Sequence, residues 1–174
     1  MISLLKVVTE VSVQSDTGRA AHVSGGETKY DVFLAAPLAT ISRELRSAYW
    51  ADVWRVQQAL KETLQFKNIY LVGENEAPGE GADAGRVFEI LRNSDRFVAL
   101  YPEQGPFQVL VELGFAMATM QPVVIFTRDP STLPFLARSA MRAHVNIACY
   151  TADTVDDVIG LIRQHRQQLF GRHS

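Results

Sequence analysis

Cysteine is nearly missing from this chain. Of its 174 residues only Cys149 carries a thiol, which excludes an internal disulfide framework and a cysteine-built zinc site. An excess of either charge is missing as well: 17 Lys and Arg face 19 Asp and Glu, a net charge of -2. A protein that grips a phosphate backbone needs a basic footprint, so no nucleic-acid partner is expected. No apolar run approaches the roughly 20 residues that span a bilayer, so no membrane partner is expected either. The histidines, His22, His144, His165 and His173, are scattered without ligand spacing, and no metal or cofactor is anticipated. Residues 1–13 are interrupted by Lys6, Glu10 and Ser12 and offer no small-residue cleavage site. They do not read as a secretory leader, and the expected compartment is a reducing cytoplasm. Internal repeats and low-complexity segments are lacking too.

What is present is a chain that is 47% hydrophobic and long enough to bury one core without staples. Residues 1–29 stand apart as an extension, a candidate extra strand through Val7, Thr9, Val11 and Val13 followed by a polar, glycine-containing stretch. Residues 30–174 form a single domain in which short β-branched or aromatic runs alternate with longer stretches of helical period, the signature of βα units feeding a parallel sheet. The strands are expected at Asp31–Ala36, Asn68–Val72, Arg96–Tyr101, Pro122–Thr127 and Val145–Tyr150. The helices are expected over Ser42–Leu64, from Asp83 as N-cap to near Asn93, from Pro106 to Met120, around Leu133–Met141 and over Thr154–Phe170. Acidic residues open the last helix and arginines close it, as the helix dipole favours. The fold class is therefore α/β, a flavodoxin-like doubly wound five-stranded parallel sheet of order 2-1-3-4-5. Its ligand crevice is expected beyond the carboxyl ends of strands one and three.

That rule selects the turn Ala35-Ala36-Pro37 and the segment from Tyr101 into the third helix. This helix is apolar on nearly every side except at Gln108, Glu112 and Thr119, spaced four and seven residues apart and so on one face. A carboxylate on a buried helix must be paired, protonated or used. Pattern alone leaves open whether Glu112 is salt-bridged to Arg43, Arg46 or Arg128, or faces the crevice to stabilise a cationic carbon. Tyr101 and Gln108 flank it as candidate ligand contacts. Arg43 and Arg46, below the Pro37 turn, are either phosphate contacts or a solvated helix face. Gly73, Gly79, Gly81 and Gly85 lack dinucleotide-fingerprint spacing and read as loop residues. Asp95, at the start of the third strand, reads as structural. Trp50 and Trp54 share a face and, with Tyr49 and the apolar third helix, suggest a homo-oligomer.

The stretch Val111-Glu112-Leu113-Gly114-Phe115-Ala116, set between the strand ending at Tyr101 and Gln121-Pro122-Val123-Val124, resembles the core motif of the nucleoside 2-deoxyribosyltransferase superfamily, which includes nucleotide N-glycosidases and is related in fold to TIR domains. Phe33-Leu34-Ala35-Ala36-Pro37 is similar to that superfamily's opening strand and ligand loop, and the resemblance spans about residues 30–150. It implies a nucleotide or nucleoside substrate, Glu112 acting at the anomeric carbon as the base departs, and Ala35, Ala36 and Pro37 touching sugar or phosphate. It also implies a homodimer with its interface near the pocket, and NAD as a substrate on the TIR-like branch. Val87 stands where the family carries an aspartate, and Gln108 and Leu110 where it keeps glycines. These positions point to a divergent member, near TIR-like NAD glycohydrolases or signal-nucleotide synthases of bacterial defence, or to a binding or assembly module without chemistry.

Overall fold

Runs such as Val-Phe-Leu-Ala and Phe-Val-Ala-Leu-Tyr have no polar alternation, so a strand made from them is stable only with both faces covered. The computed structural model, which describes residues 29–37, 43–72, 83–101, 107–166, provides that cover. In chain order the elements are β1 (Val32–Ala35), α1 (Arg43–Leu64), β2 (Ile69–Leu71), α2 (Ala84–Arg92), β3 (Phe97–Tyr101), α3 (Phe107–Ala118), β4 (Val123–Thr127), a 3₁₀ turn (Pro130–Thr132), α4 (Phe135–Ala143), β5 (Ile147–Thr151) and α5 (Val155–Gln164). The five strands pair in parallel in the order β2-β1-β3-β4-β5. The expected α/β architecture and strand order are thus observed.

Strand pleating divides the core in two. Val32, Leu34, Val98, Leu100, Val124 and Phe126 face α1 and α5. Phe33, Ala35, Phe97, Ala99, Val123 and Ile125 face α2, α3 and α4. Each helix thus covers one sheet face, as right-handed crossovers require.

The differences from the sequence reading lie at element ends. The last strand begins at Ile147 rather than Val145, because Val145 sits 94% exposed in a turn and Asn146 donates its side-chain amide to the carbonyls of Met120 and Gln121. The fourth helical region is split: Asp129 caps the short 3₁₀ turn, and α4 starts only after Pro134. Asp83 caps α2 as expected, accepting from the Gly85 amide. Thr154 is the N-cap of α5 and not its first residue; it forms a reciprocal capping box with Asp157. Asp95 lies in the turn before β3, where it pairs with Lys29 at 2.8 Å. The candidate extra strand at residues 1–29 lies, apart from Lys29, outside the described residues, as do Gly73, Gly79, Gly81, His22 and His173.

Candidate functional site

β1 and β3 are hydrogen-bonded neighbours, and the chain leaves them in opposite lateral directions, β1 towards β2 and β3 towards β4. Their carboxyl ends therefore form the switch point of the sheet, the place where doubly wound folds in general bind their ligands. Ala35 is paired with Ala99, two residues before Tyr101, so the Ala35–Pro37 turn and Tyr101 end on the same edge. Ala35, Ala36 and Pro37 are all buried, which leaves main chain as what this turn can offer a ligand.

α3 begins at Phe107, just after that edge, and Val109, Leu113 and Ala116 anchor it in the same core half as Ala35, Ala99 and Tyr101. This anchoring fixes the rotation of the helix and so the direction of Gln108 and Glu112, one turn apart. Glu112 is only 3% exposed. Gln108 donates its side-chain amide to Glu112 Oε1 at 3.0 Å, whereas Oε2 is buried with no hydrogen-bond partner among the described residues. Burial raises the carboxyl to about 7, and the Gln108 hydrogen bond opposes that rise. A buried carboxylate with one oxygen unsatisfied is costly, and a carboxyl so placed is a candidate for a functional role.

The salt-bridge alternative finds no support among the described residues. The ion pairs there join Lys29 to Asp95 and Arg55 to Asp52 and Asp156, and none includes Glu112. Arg128 turns its Nε to the main-chain carbonyl of Asp153, on the α5 side of the sheet. Arg46 is exposed, and the side chain of Arg43 lies outside the described residues. Thr119 does not join the pair: its hydroxyl bonds back to the carbonyls of Phe115 and Ala116. Val87 packs in the core under α2, and Leu110 packs against the same cluster. An aspartate at Val87 would be a buried charge. No group of three or more His, Cys, Asp or Glu side chains able to hold a metal occurs among the described residues.

Sequence reasoning overlooked a second concavity, on the other face of the sheet. A cavity of about 390 Å³ lies between α1, α5 and the carboxyl ends of β3, β4 and β5, with Tyr49, Asp52, Tyr101, Thr127 and Arg128 among its lining. The signal that marks it is the rule already applied to β1 and β3: Thr127 ends β4 and Arg128 follows it, and Ala152-Asp153 follow the carboxyl end of β5.

Comparison with protein-family models and with curated proteins returns no match. Solved structures do match. The CMP N-glycosidase BcmB of Clostridium botulinum superposes with a TM-score of 0.56 at 14% identity, over 75% of this chain and 95% of that one. A conserved protein from Enterococcus faecalis V583 gives 0.50 at 20% identity, over 79% and 99%. A 2-deoxyribosyltransferase from Leishmania mexicana gives 0.42 at 16% identity, over 82% and 90%. What these likenesses show is the fold, a doubly wound α/β domain with a five-stranded parallel sheet of order 2-1-3-4-5.

Proposed function

We propose that this chain cleaves or transfers an N-ribosidic bond of a nucleotide or nucleoside, with Glu112 as its central side chain. The carrying observation is Glu112 itself: buried on α3, held through one oxygen by Gln108 and without a hydrogen-bond partner at the other among the described residues. The fold shared with a CMP N-glycosidase supports the reaction class. As the base leaves, positive charge develops on the anomeric carbon and ring oxygen of the sugar. A fixed carboxylate in a water-poor site stabilises that charge more in the transition state than in the ground state, and only such differential interaction accelerates the step. The proposed ligand contacts are the Ala35–Pro37 main chain at sugar or phosphate, with Arg43, Tyr101 and Gln108 around the same crevice. No cofactor enters this reading; NAD is a candidate substrate, and the working unit is a homodimer.

The test is incubation with CMP, deoxynucleosides and NAD, with released base or nicotinamide quantified chromatographically. Glu112→Gln keeps shape and removes charge, so turnover should fall about 100-fold or more with the fold retained. Release from CMP or a deoxynucleoside supports the glycosidase or transferase, and glycosylation of an added base identifies the transferase. Nicotinamide release assigns the TIR-like reaction instead. Nucleotide binding without release of any base would leave a binding module, the reading favoured by the core packing of Val87 and Leu110.

A further inference from the structure

The cavity on the α1/α5 face lies across the sheet from Glu112, because α3 packs on the opposite face. Tyr101, at the sheet edge, is the residue common to both surroundings: it packs with the α3-side core and lines this cavity. The volume, about 390 Å³, is within the range of small-molecule sites.

The lining has two characters. Val53, Val56, Leu100, Phe126 and Val158 belong to the buried core and give the cavity an apolar floor. Its polar groups come from element ends and from one turn of α1. Tyr49 and Tyr101 bring phenols that have no hydrogen-bond partner among the described residues, and burial pushes both above the ordinary phenol value. The Arg128 guanidinium is fixed through Nε on the Asp153 carbonyl at 3.0 Å, which leaves its two terminal nitrogens without a protein acceptor among the described residues. Asp52 and Asp153 add carboxylates; Arg55 engages Asp52 only at 3.5 Å and also holds Asp156.

This chemistry narrows the occupant. Asp52 and Asp153, set against Arg128 and the Arg55 that pairs with Asp52, leave no net positive charge to hold a phosphate or carboxylate ligand. A sugar would leave the apolar floor unmatched and its own hydroxyls desolvated. A flat, uncharged ring fills the floor with its faces and presents its polar atoms at the rim, its carbonyl to the phenols and Arg128 and its N–H to Asp52. We propose that the α1/α5 cavity is a second ligand site, for a neutral heteroaromatic with an amide edge and the size of one nucleobase. The proposal does not rest on the role assigned to Glu112.

Calorimetry and saturation-transfer NMR with uracil and hypoxanthine as probes test it. Saturable binding with a dissociation constant below about 1 mM is expected, and methyl signals of Val53 and Val158 should shift on titration. Tyr49→Phe and Arg128→Ala, which delete one hydroxyl and one exposed side chain, should each weaken binding about tenfold, and Glu112→Gln should leave it within about twofold. Unsubstituted purine, which lacks the carbonyl, should bind about tenfold more weakly than hypoxanthine. The proposal is overturned by the absence of saturation up to about 10 mM, by displacement with inorganic phosphate, by indifference to both cavity variants, or by binding lost with Glu112→Gln.

Discussion

Moving the Glu112 carboxyl out of water changes how the whole chain responds to pH. Its folded value is raised from 4.5 to about 7, so between those values the folded state holds a proton that the unfolded state releases. The contribution of this one group to stability is therefore full below about pH 4.5 and is lost as pH rises through about 7, by an amount on the order of 3 kcal/mol. Glu112→Gln should remove this decline, and urea unfolding of both proteins at pH 5 to 8 checks it: parallel stability curves would refute the buried, shifted carboxyl. If the ionised form stabilises the reacting sugar, kcat/KM should rise with pH through an apparent value of about 7, and a flat profile would count against that role. Gln108 is the second residue to test. Its hydrogen bond lowers the Glu112 value, so Gln108→Ala should move the Glu112 carboxyl signal in a ¹³C NMR titration to higher pH. An unchanged or lower midpoint would mean that the amide does not act on the carboxylate.

Elements end here by devices that differ in how openly the sequence displays them. The α5 capping box is written in Thr154 and Asp157, three residues apart, and Thr154→Ala should cost about 1 kcal/mol in thermal or urea unfolding. The end of α3 is less visible. The Gln121 amide reaches back to the Ala116 carbonyl and the Met120 amide to that of Met117, a Schellman pair that puts Met120 at φ 56. That backbone region suits glycine, and an exposed methionine occupies it under strain. Met120→Gly should therefore stabilise the protein by about 1 kcal/mol, and a loss of stability would show that the methionine side chain matters more than the backbone strain. Gln121 then inserts its side-chain amide between the carbonyls of Leu91 and Ser94, at 2.6 and 2.9 Å, and ties the end of α2 to the end of α3. No periodicity marks that contact, because it joins segments 27 to 30 residues apart.

At the scale of the whole molecule, the exposed apolar surface lies elsewhere than the aromatic pattern of α1 implied. Tyr49 and Trp50 pack against the core, and only Trp54, at 55%, stays out. The uncharged outer stripe of α3, Phe107, Val111, Gly114 and Ala118, is exposed instead, next in sequence to Gln108 and Glu112. A dimer formed there should scatter light as twice the 19.4 kDa chain mass, and Val111→Arg should return the single-chain mass. A wild-type monomer at high concentration would remove the dimer from the reading. The strand order and the two-sided cover of the sheet were legible from the chain alone, because uninterrupted apolar runs separated by helical periods admit few other parallel arrangements. The site was legible in part: Glu112 stood out as a lone carboxylate in an apolar helix, and Gln108 lay one turn away on the same face. Val145 misled, since a β-branched residue favours a strand locally while the Asn146 contacts set the turn. The sequence by itself determined the period of each element and the short-range pairs that follow from it, since these depend on neighbours within a turn or two. Only the tertiary structure decided that Glu112 has no cationic partner among the described residues and that Tyr49, Arg128 and Asp153 surround one cavity, because burial and pairing depend on which distant segments meet at the sheet edge.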